Sequence, residues 1–143
     1  MKYLLAALMM GASLAASAAN HEIKMLNAGK DGTMVFEPGV LKAAPGDTVT
    51  FKAASAGHFV QSKAVPNGAK DFTSEEDENF TVKLDKEGVY VYICPPHRTM
   101  NMAGIIQVGK AVNRVEAEAA VAELEKRATV NQGRLKTYLQ QIK

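Results

Sequence analysis

From Glu22 to Val108 the chain alternates short β-favouring runs with clusters of turn residues, and this rhythm constrains its fold more than any other feature. The runs are Glu22 to Leu26, Met34 to Glu37, Thr48 to Lys52, Asn79 to Leu84, Val89 to Cys94 and Gly104 to Val108. Their β-branched and aromatic residues suit a pleated, half-buried surface. The separators are Gly29-Lys30-Asp31-Gly32, Pro38-Gly39, Pro45-Gly46-Asp47, Pro66-Asn67-Gly68 and Lys86-Glu87-Gly88. Glycine there supplies positive φ, and proline fixes φ and removes a ladder donor. Strands at this spacing predict a small antiparallel sandwich or barrel.

Both ends of the chain depart from that rhythm. Met1 and Lys2 form a short positive stretch, Tyr3 to Leu14 an apolar run, and Ala16-Ser17-Ala18 a small-residue cleavage site. Residues 1–18 are therefore expected to be a signal peptide, and 19–143 a single mature domain. The apolar run is too short to span a bilayer, and no later stretch is apolar enough, so no membrane insertion of the mature chain is expected. Beyond Gly109 to Asn113 the composition turns to Ala and Glu. Ala117, Ala120, Val121 and Leu124 then recur at helical spacing, as do Leu135, Tyr138, Leu139 and Ile142. Two helices are predicted, over about 113–127 and 131–142, packing on the sandwich through narrow apolar stripes.

Charge narrows the partners. The chain has 17 basic residues against 15 acidic ones, interspersed along its length. A nucleic-acid binder needs a basic stripe, so that class is excluded. The run Glu75-Glu76-Asp77-Glu78 reads as a solvated loop leading into a strand.

The chemistry concentrates in the stretch from Tyr92 to Gly104. Cys94 is the only cysteine. In an exported protein it cannot close an internal disulfide, so it is a metal ligand, a reactive thiol, an intermolecular bridge or an inert core residue. Period-two alternation puts Cys94 on the side of Tyr90 and Tyr92, opposite Val91 and Ile93. Pro95 and Pro96 then stop the strand, because neither can donate a ladder hydrogen bond. Cys94, His97 and Met102 consequently share a strand end and one short loop.

Thiolate, imidazole and thioether are soft or borderline donors. Structural zinc sites seldom use Met, and calcium or magnesium would take oxygen ligands. A trigonal His2Cys set with a long axial Met is the arrangement of blue-copper electron transfer. Two other histidines could complete it. His21 falls at an expected frayed N-terminus, whereas His58 follows Ala56-Gly57 at the end of a strand and is the better candidate. An enzyme with Cys94 as nucleophile and His97 as base lacks a third orienting group and an evident oxyanion hole. Haem attachment is excluded, since the chain has no C-x-x-C-H.

The chain resembles the pseudoazurins, small type 1 copper proteins of the bacterial periplasm. The resemblance is carried by Met25-Leu26-Asn27, Met34-Val35-Phe36-Glu37-Pro38, Ala44-Pro45-Gly46-Asp47-Thr48-Val49-Thr50-Phe51 and Gly57-His58. It continues through Gly88-Val89-Tyr90, Cys94-x2-His97-x4-Met102 and Gly104-Ile105-Ile106-Gln107-Val108-Gly109. It implies a mainly β, cupredoxin-like Greek-key sandwich with two C-terminal helices. It also implies one type 1 copper on His58, Cys94, His97 and Met102. The function implied is periplasmic shuttling of single electrons to a reductase such as copper nitrite reductase, with a c-type cytochrome as another possible partner. The alternative for the same ligands is copper storage or delivery. Transient redox encounters use small interfaces, so a monomer is expected.

The resemblance further makes His97 the electron port, ringed by Met34, Pro96 and Met100 as an apolar patch. Several places where relatives often carry Lys hold Ala28, Ala56, Thr73 and Ile93 instead, which leaves Lys30, Lys63, Lys70 and Arg98 as the candidate cations. Where the family has Asn after the first ligand His and a hydroxyl residue after the Cys, this chain has Phe59 and Pro95. The hydrogen bond that ties the two ligand segments cannot form between them. Pro96 has no N–H, so Phe59 is expected to provide the one backbone donor to the Cys94 sulfur.

Overall fold

The computed structural model describes residues 17–143; the expected signal peptide lies outside them, apart from its last two residues. Eight strands run in the order β1 (Asn20–Gly29), β2 (Gly32–Glu37), β3 (Val40–Ala43), β4 (Asp47–Ala53), β5 (Gln61–Ala64), β6 (Phe80–Leu84), β7 (Gly88–Ile93) and β8 (Ala103–Val108). Two helices follow, α1 (Arg114–Arg127) and α2 (Arg134–Leu139). The strands form two four-stranded sheets, β2-β1-β4-β6 and β3-β8-β7-β5. They make a mainly β, cupredoxin-like sandwich with two C-terminal helices.

Every residue of β7, and every residue of β8, is buried, because the sheet they share is covered on both faces. Tyr90, Tyr92 and Cys94 join Ile23, Met25, Phe36, Val49 and Phe51 in the layer between the sheets. Val89, Val91 and Ile93 point the other way and pack against Ala117, Val121, Leu135 and Tyr138 of the helices. Tyr92 anchors the inner layer, with its ring edge-on to Phe36 at 4.9 Å and to Phe51 at 5.1 Å between centroids. Its hydroxyl end lies over Gly104, its cross-strand partner; a Cβ there would sit 2.4 Å from Tyr92 Oη, so only glycine fits.

The architecture corrects the sequence reading in four places. The sandwich is not purely antiparallel, since β1 pairs parallel with β4 and β3 parallel with β8. Strands β3 and β5 were not anticipated; each has four residues, too few to show an alternating pattern. The second helix starts at Arg134 rather than near Asn131, because Asn131 and Gly133 adopt positive φ of 56° and 85°.

The fourth correction concerns His21, which is not frayed. It sits in β1, and its Nε2 lies 2.8 Å from Asp47 Oδ2. Asp47 also accepts from the backbone N–H groups of Ala19 and Ala44, each at 2.9 Å. The Ala44, His21 and Ala19 bonds hold the Asp47 carboxyl down to about 2 from an ordinary 3.8. A carboxylate depressed on folding stabilises above its unfolded pKa and loses that contribution as pH falls through the folded one. Asp47 therefore supports the sheet above about 3.8 and ceases to as pH drops towards about 2. Denaturation midpoints across that range should decline less steeply in Asp47→Asn than in the parent; parallel declines would show that Asp47 carries none of the acid sensitivity.

Candidate metal centre

The ligand loop is built by where prolines are tolerated. β7 ends at Ile93, Cys94 keeps extended backbone, and Pro95 and Pro96 open a 3₁₀ turn, Pro95–Met100, whose first N–H groups need no intrahelical partner. Asn101 closes the turn in the left-handed conformation at φ 55°. The loop then fastens to itself. Cys94 N–H donates to the Met102 carbonyl at 2.9 Å, and His97 N–H donates to the Cys94 carbonyl at 3.0 Å. Residues eight apart in sequence are thereby held side by side, and β8 starts at once.

His58 arrives from the opposite side, after Gly57 at φ 87° and just before β5. Cys94 Sγ faces His58 Nδ1 at 3.6 Å and His97 Nδ1 at 3.5 Å. The ligand atoms of these three residues all lie within 4.8 Å of one another. Nitrogen and sulfur bonds of about 2.0 and 2.3 Å in a trigonal plane would put N and S about 3.7 Å apart. The observed separations fit a single ion between them. His58 and Cys94 are fully buried, whereas His97 is partly exposed. Met102 is also fully buried and belongs to the same packed cluster as Cys94.

Two residues that sequence reasoning missed set the His58 side. Asn27 Oδ1 lies 2.7 Å from His58 Nε2. A carbonyl oxygen can only accept, so the proton sits on Nε2, and Nδ1 presents its lone pair to the site. Asp77 Oδ1 accepts from Gly57 N–H and His58 N–H at 2.6 and 3.2 Å, while its own N–H donates to the His58 carbonyl at 2.9 Å. The acidic run is thus more than a solvated loop. Asp77, at φ 61°, ties the His58 turn in place where Phe59 and Pro95 supply no side-chain link.

Burial dominates the ionisation of the two buried donors. Burial first, and then repulsion from His97, lower the His58 pKa, which favours the neutral ligating imidazole. Burial pushes the Cys94 thiol up, against backbone N–H groups of Phe59 and His97 that favour the thiolate. Pro96, which has no N–H, can contribute nothing to the sulfur. A metal ion reverses the burial effect by taking the thiolate as ligand.

The remaining candidates divide. Met34, at φ 48°, and Met100 are half-buried and Pro96 is exposed. Lys63 and Arg98 share a cleft of about 300 Å³ with Arg127 of α1, a cation the sequence reading had not included. Lys30 and Lys70 are exposed and do not line it.

The sequence family described as copper binding proteins, plastocyanin/azurin family, matches residues 23–109. The chain belongs to that family, whose members bind a type 1 copper, and it is a copper electron-transfer protein rather than an enzyme. Pseudoazurin from Paracoccus pantotrophus is 39% identical over 113 residues, covering 78% of this chain and 77% of that one. A relative from Rhizobium leguminosarum bv. viciae is 51% identical over 94 residues, 64% of this chain and 62% of that protein's length. The crystal structure of pseudoazurin from Methylobacterium extorquens AM1 superposes with a TM-score of 0.76 at 35% identity, covering 87% of this chain and 99% of that one. Within the family the chain is placed among the pseudoazurins.

Removing an outer partner of a ligand histidine commonly costs 10- to 100-fold in metal affinity. Asn27→Ala and Asp77→Ala should each weaken Cu(I) binding by roughly 10-fold or more, measured by chelator competition, with Asn27→Ala also raising solvent exchange at His58 Nε2. Unchanged affinity in both variants would mean that the loop alone positions His58.

Proposed function

We propose that this protein is a periplasmic single-electron carrier in which His58, Cys94, His97 and Met102 hold one type 1 copper and His97 is the port. The observation that carries this reading is Cys94 Sγ set between two imidazole Nδ1 atoms at 3.5 and 3.6 Å, with His97 the exposed member of the three. Met102 would supply its thioether as the fourth ligand. Its buried side chain packs with Cys94, and its carbonyl is bonded to Cys94 N–H.

Bound copper supplies a change of one electron between Cu(I) and Cu(II). The chain's part is to resist rearrangement. Asn27 and Asp77 hold His58, and the self-bonded loop holds Cys94, His97 and Met102, so the donor atoms stay put as charge changes. Tyr92, Phe36 and Phe51 belong to the same buried cluster as Cys94 and keep that layer dry. A storage or delivery protein needs an accessible, exchangeable thiolate, whereas Cys94 and His58 have no exposed surface. Periplasmic placement rests on the signal-like N-terminus; among the described residues no helix is long and apolar enough to cross a membrane.

The acceptor we propose is a respiratory reductase such as copper nitrite reductase, with a c-type cytochrome as donor, each met by a monomer. Both would meet the Met34, Pro96 and Met100 patch around His97. Lys63, Arg98 and Arg127 line one cleft with Glu123, Arg98 following His97 in the chain, and none of the three cations forms an ion pair among the described residues. Partial desolvation, and then repulsion from Arg98 and Arg127, lower the Lys63 pKa, so an incoming carboxylate relieves as well as attracts.

With one equivalent of Cu(II), the mature protein should show an intense visible thiolate-to-copper band, bleached reversibly by ascorbate and absent from Cys94→Ser. A colourless protein that still binds Cu(I) would instead assign it to storage or delivery. Oxidation of the reduced protein by hexacyanoferrate(III) should slow with rising ionic strength. Replacing Lys63 and Arg127 together by Gln should lower its low-salt rate by roughly 3- to 10-fold. An unchanged rate would remove this cleft from the docking surface.

A further inference from the structure

An apolar cluster packs α1 and α2 against the sheet, and a second, polar set of contacts runs from the helices to the ligand loop. Arg134, the first residue of α2, is 8% exposed. Its Nη1 donates to the Met34 carbonyl at 2.7 Å and to the Asn101 carbonyl at 3.1 Å. Its Nη2 donates to the carbonyls of Thr33 at 2.8 Å and Asp31 at 3.1 Å. Asn101 is the residue immediately before Met102.

The same residue is gripped from its other end. Asn101 Nδ2 donates to Glu125 Oε1 and to the Asn131 carbonyl, both at 3.0 Å. Glu125 is itself fixed by Gly133 N–H at 2.8 Å and Leu135 N–H at 2.9 Å. Asn131 Nδ2 donates to the Met100 carbonyl at 3.0 Å. Met100 and Asn101, the two residues leading into Met102, are thus held by groups from α1, α2 and their connection.

A buried guanidinium is costly unless its donors are satisfied, and an apolar side chain of similar volume would serve packing as well. What the planar fork adds is direction: two donor arms held at fixed angles onto chosen carbonyls. We infer that Arg134, with Glu125 behind it, is a positioning residue for the axial ligand Met102, setting how closely the thioether approaches the metal. The inference rests on the assignment of Met102 above. Because one guanidinium also holds the Met34 carbonyl, the brace joins the contact patch to the axial side of the site.

The test uses the full copper-loaded protein and its copper-free form, with Arg134→Lys and Glu125→Gln. Lysine keeps the charge but cannot span four carbonyls, and glutamine keeps the shape should the first variant fold poorly. In both, the ratio of the two visible thiolate-to-copper bands and the rhombicity of the Cu(II) electron spin resonance signal should change. In the copper-free form, amide exchange at Asn101 and Met102 should quicken about tenfold, the change that about 1.4 kcal/mol makes in an equilibrium constant, while Val91 is unaffected. A lowered unfolding midpoint with unchanged spectra and unchanged loop exchange would overturn the positioning role and leave a purely structural one. Met102→Leu is run alongside. An unchanged spectrum there overturns the axial assignment itself, whereas a changed one beside unchanged Arg134→Lys and Glu125→Gln overturns only the brace.

Discussion

Strand β7 has no solvent face, and the geometry of the metal centre follows from that confinement. Tyr90, Tyr92 and Cys94 point between the sheets while Val89, Val91 and Ile93 point under the helices. A slip of one residue would exchange these two sets, pressing tyrosines against α1 and taking the sulfur out of the inner layer. Tyr92 over Gly104 adds a lock in register, since no neighbouring cross-strand pair offers the same room. The direction of Cys94 Sγ is therefore fixed before any ligand is considered. The prolines need only end the strand at that point.

The supports of the other donors are polar, and they are divided between two regions of the fold. His58 is set by Asn27 from β1 and Asp77 from the loop before β6. The far end of the ligand loop is set by Arg134, Glu125 and Asn131 from the helical end of the chain. The apolar layers give the site its dryness, and the polar groups give it angles. Neither could do the other's work, because dispersion contacts are non-directional and hydrogen bonds are not.

How much of this was legible in the sequence depended on range. Cys94, His97 and Met102 lie on one loop, so their spacing alone announced a soft-donor site, and His58 was preferred on its place at the end of a strand. The alternation in β7 assigned each of its side chains to the correct face, and the helical stripes named Val121, Leu124 and Leu135 as core. Asn27 and Asp77 act across 31 and 19 positions and Arg134 across 33 to the ligand loop and about 100 to β2, and they follow no period, so nothing local marked them. Arg134 even ran against expectation, since arginine is rarely buried unless paired. Phe59 and Pro95 showed that one cross-link between the ligand segments was lost; that Asp77 fastens the His58 turn needed the folded chain. Parallel pairing of β1 with β4 was hidden for a simpler reason, as strand direction leaves no trace in a run of alternating residues.

His97 is the one member of the triad that reaches solvent. With His97 as the proposed port, an electron enters and leaves by the same edge of the same ring. Donor and acceptor then compete for one landing place, and the protein cannot sit between them as a wire. It has to let go of the first before it can meet the second. Turnover in such a relay is governed by how quickly complexes come apart, which sets an upper bound on useful affinity and gives a physical reason for a small contact face flanked by a few cations.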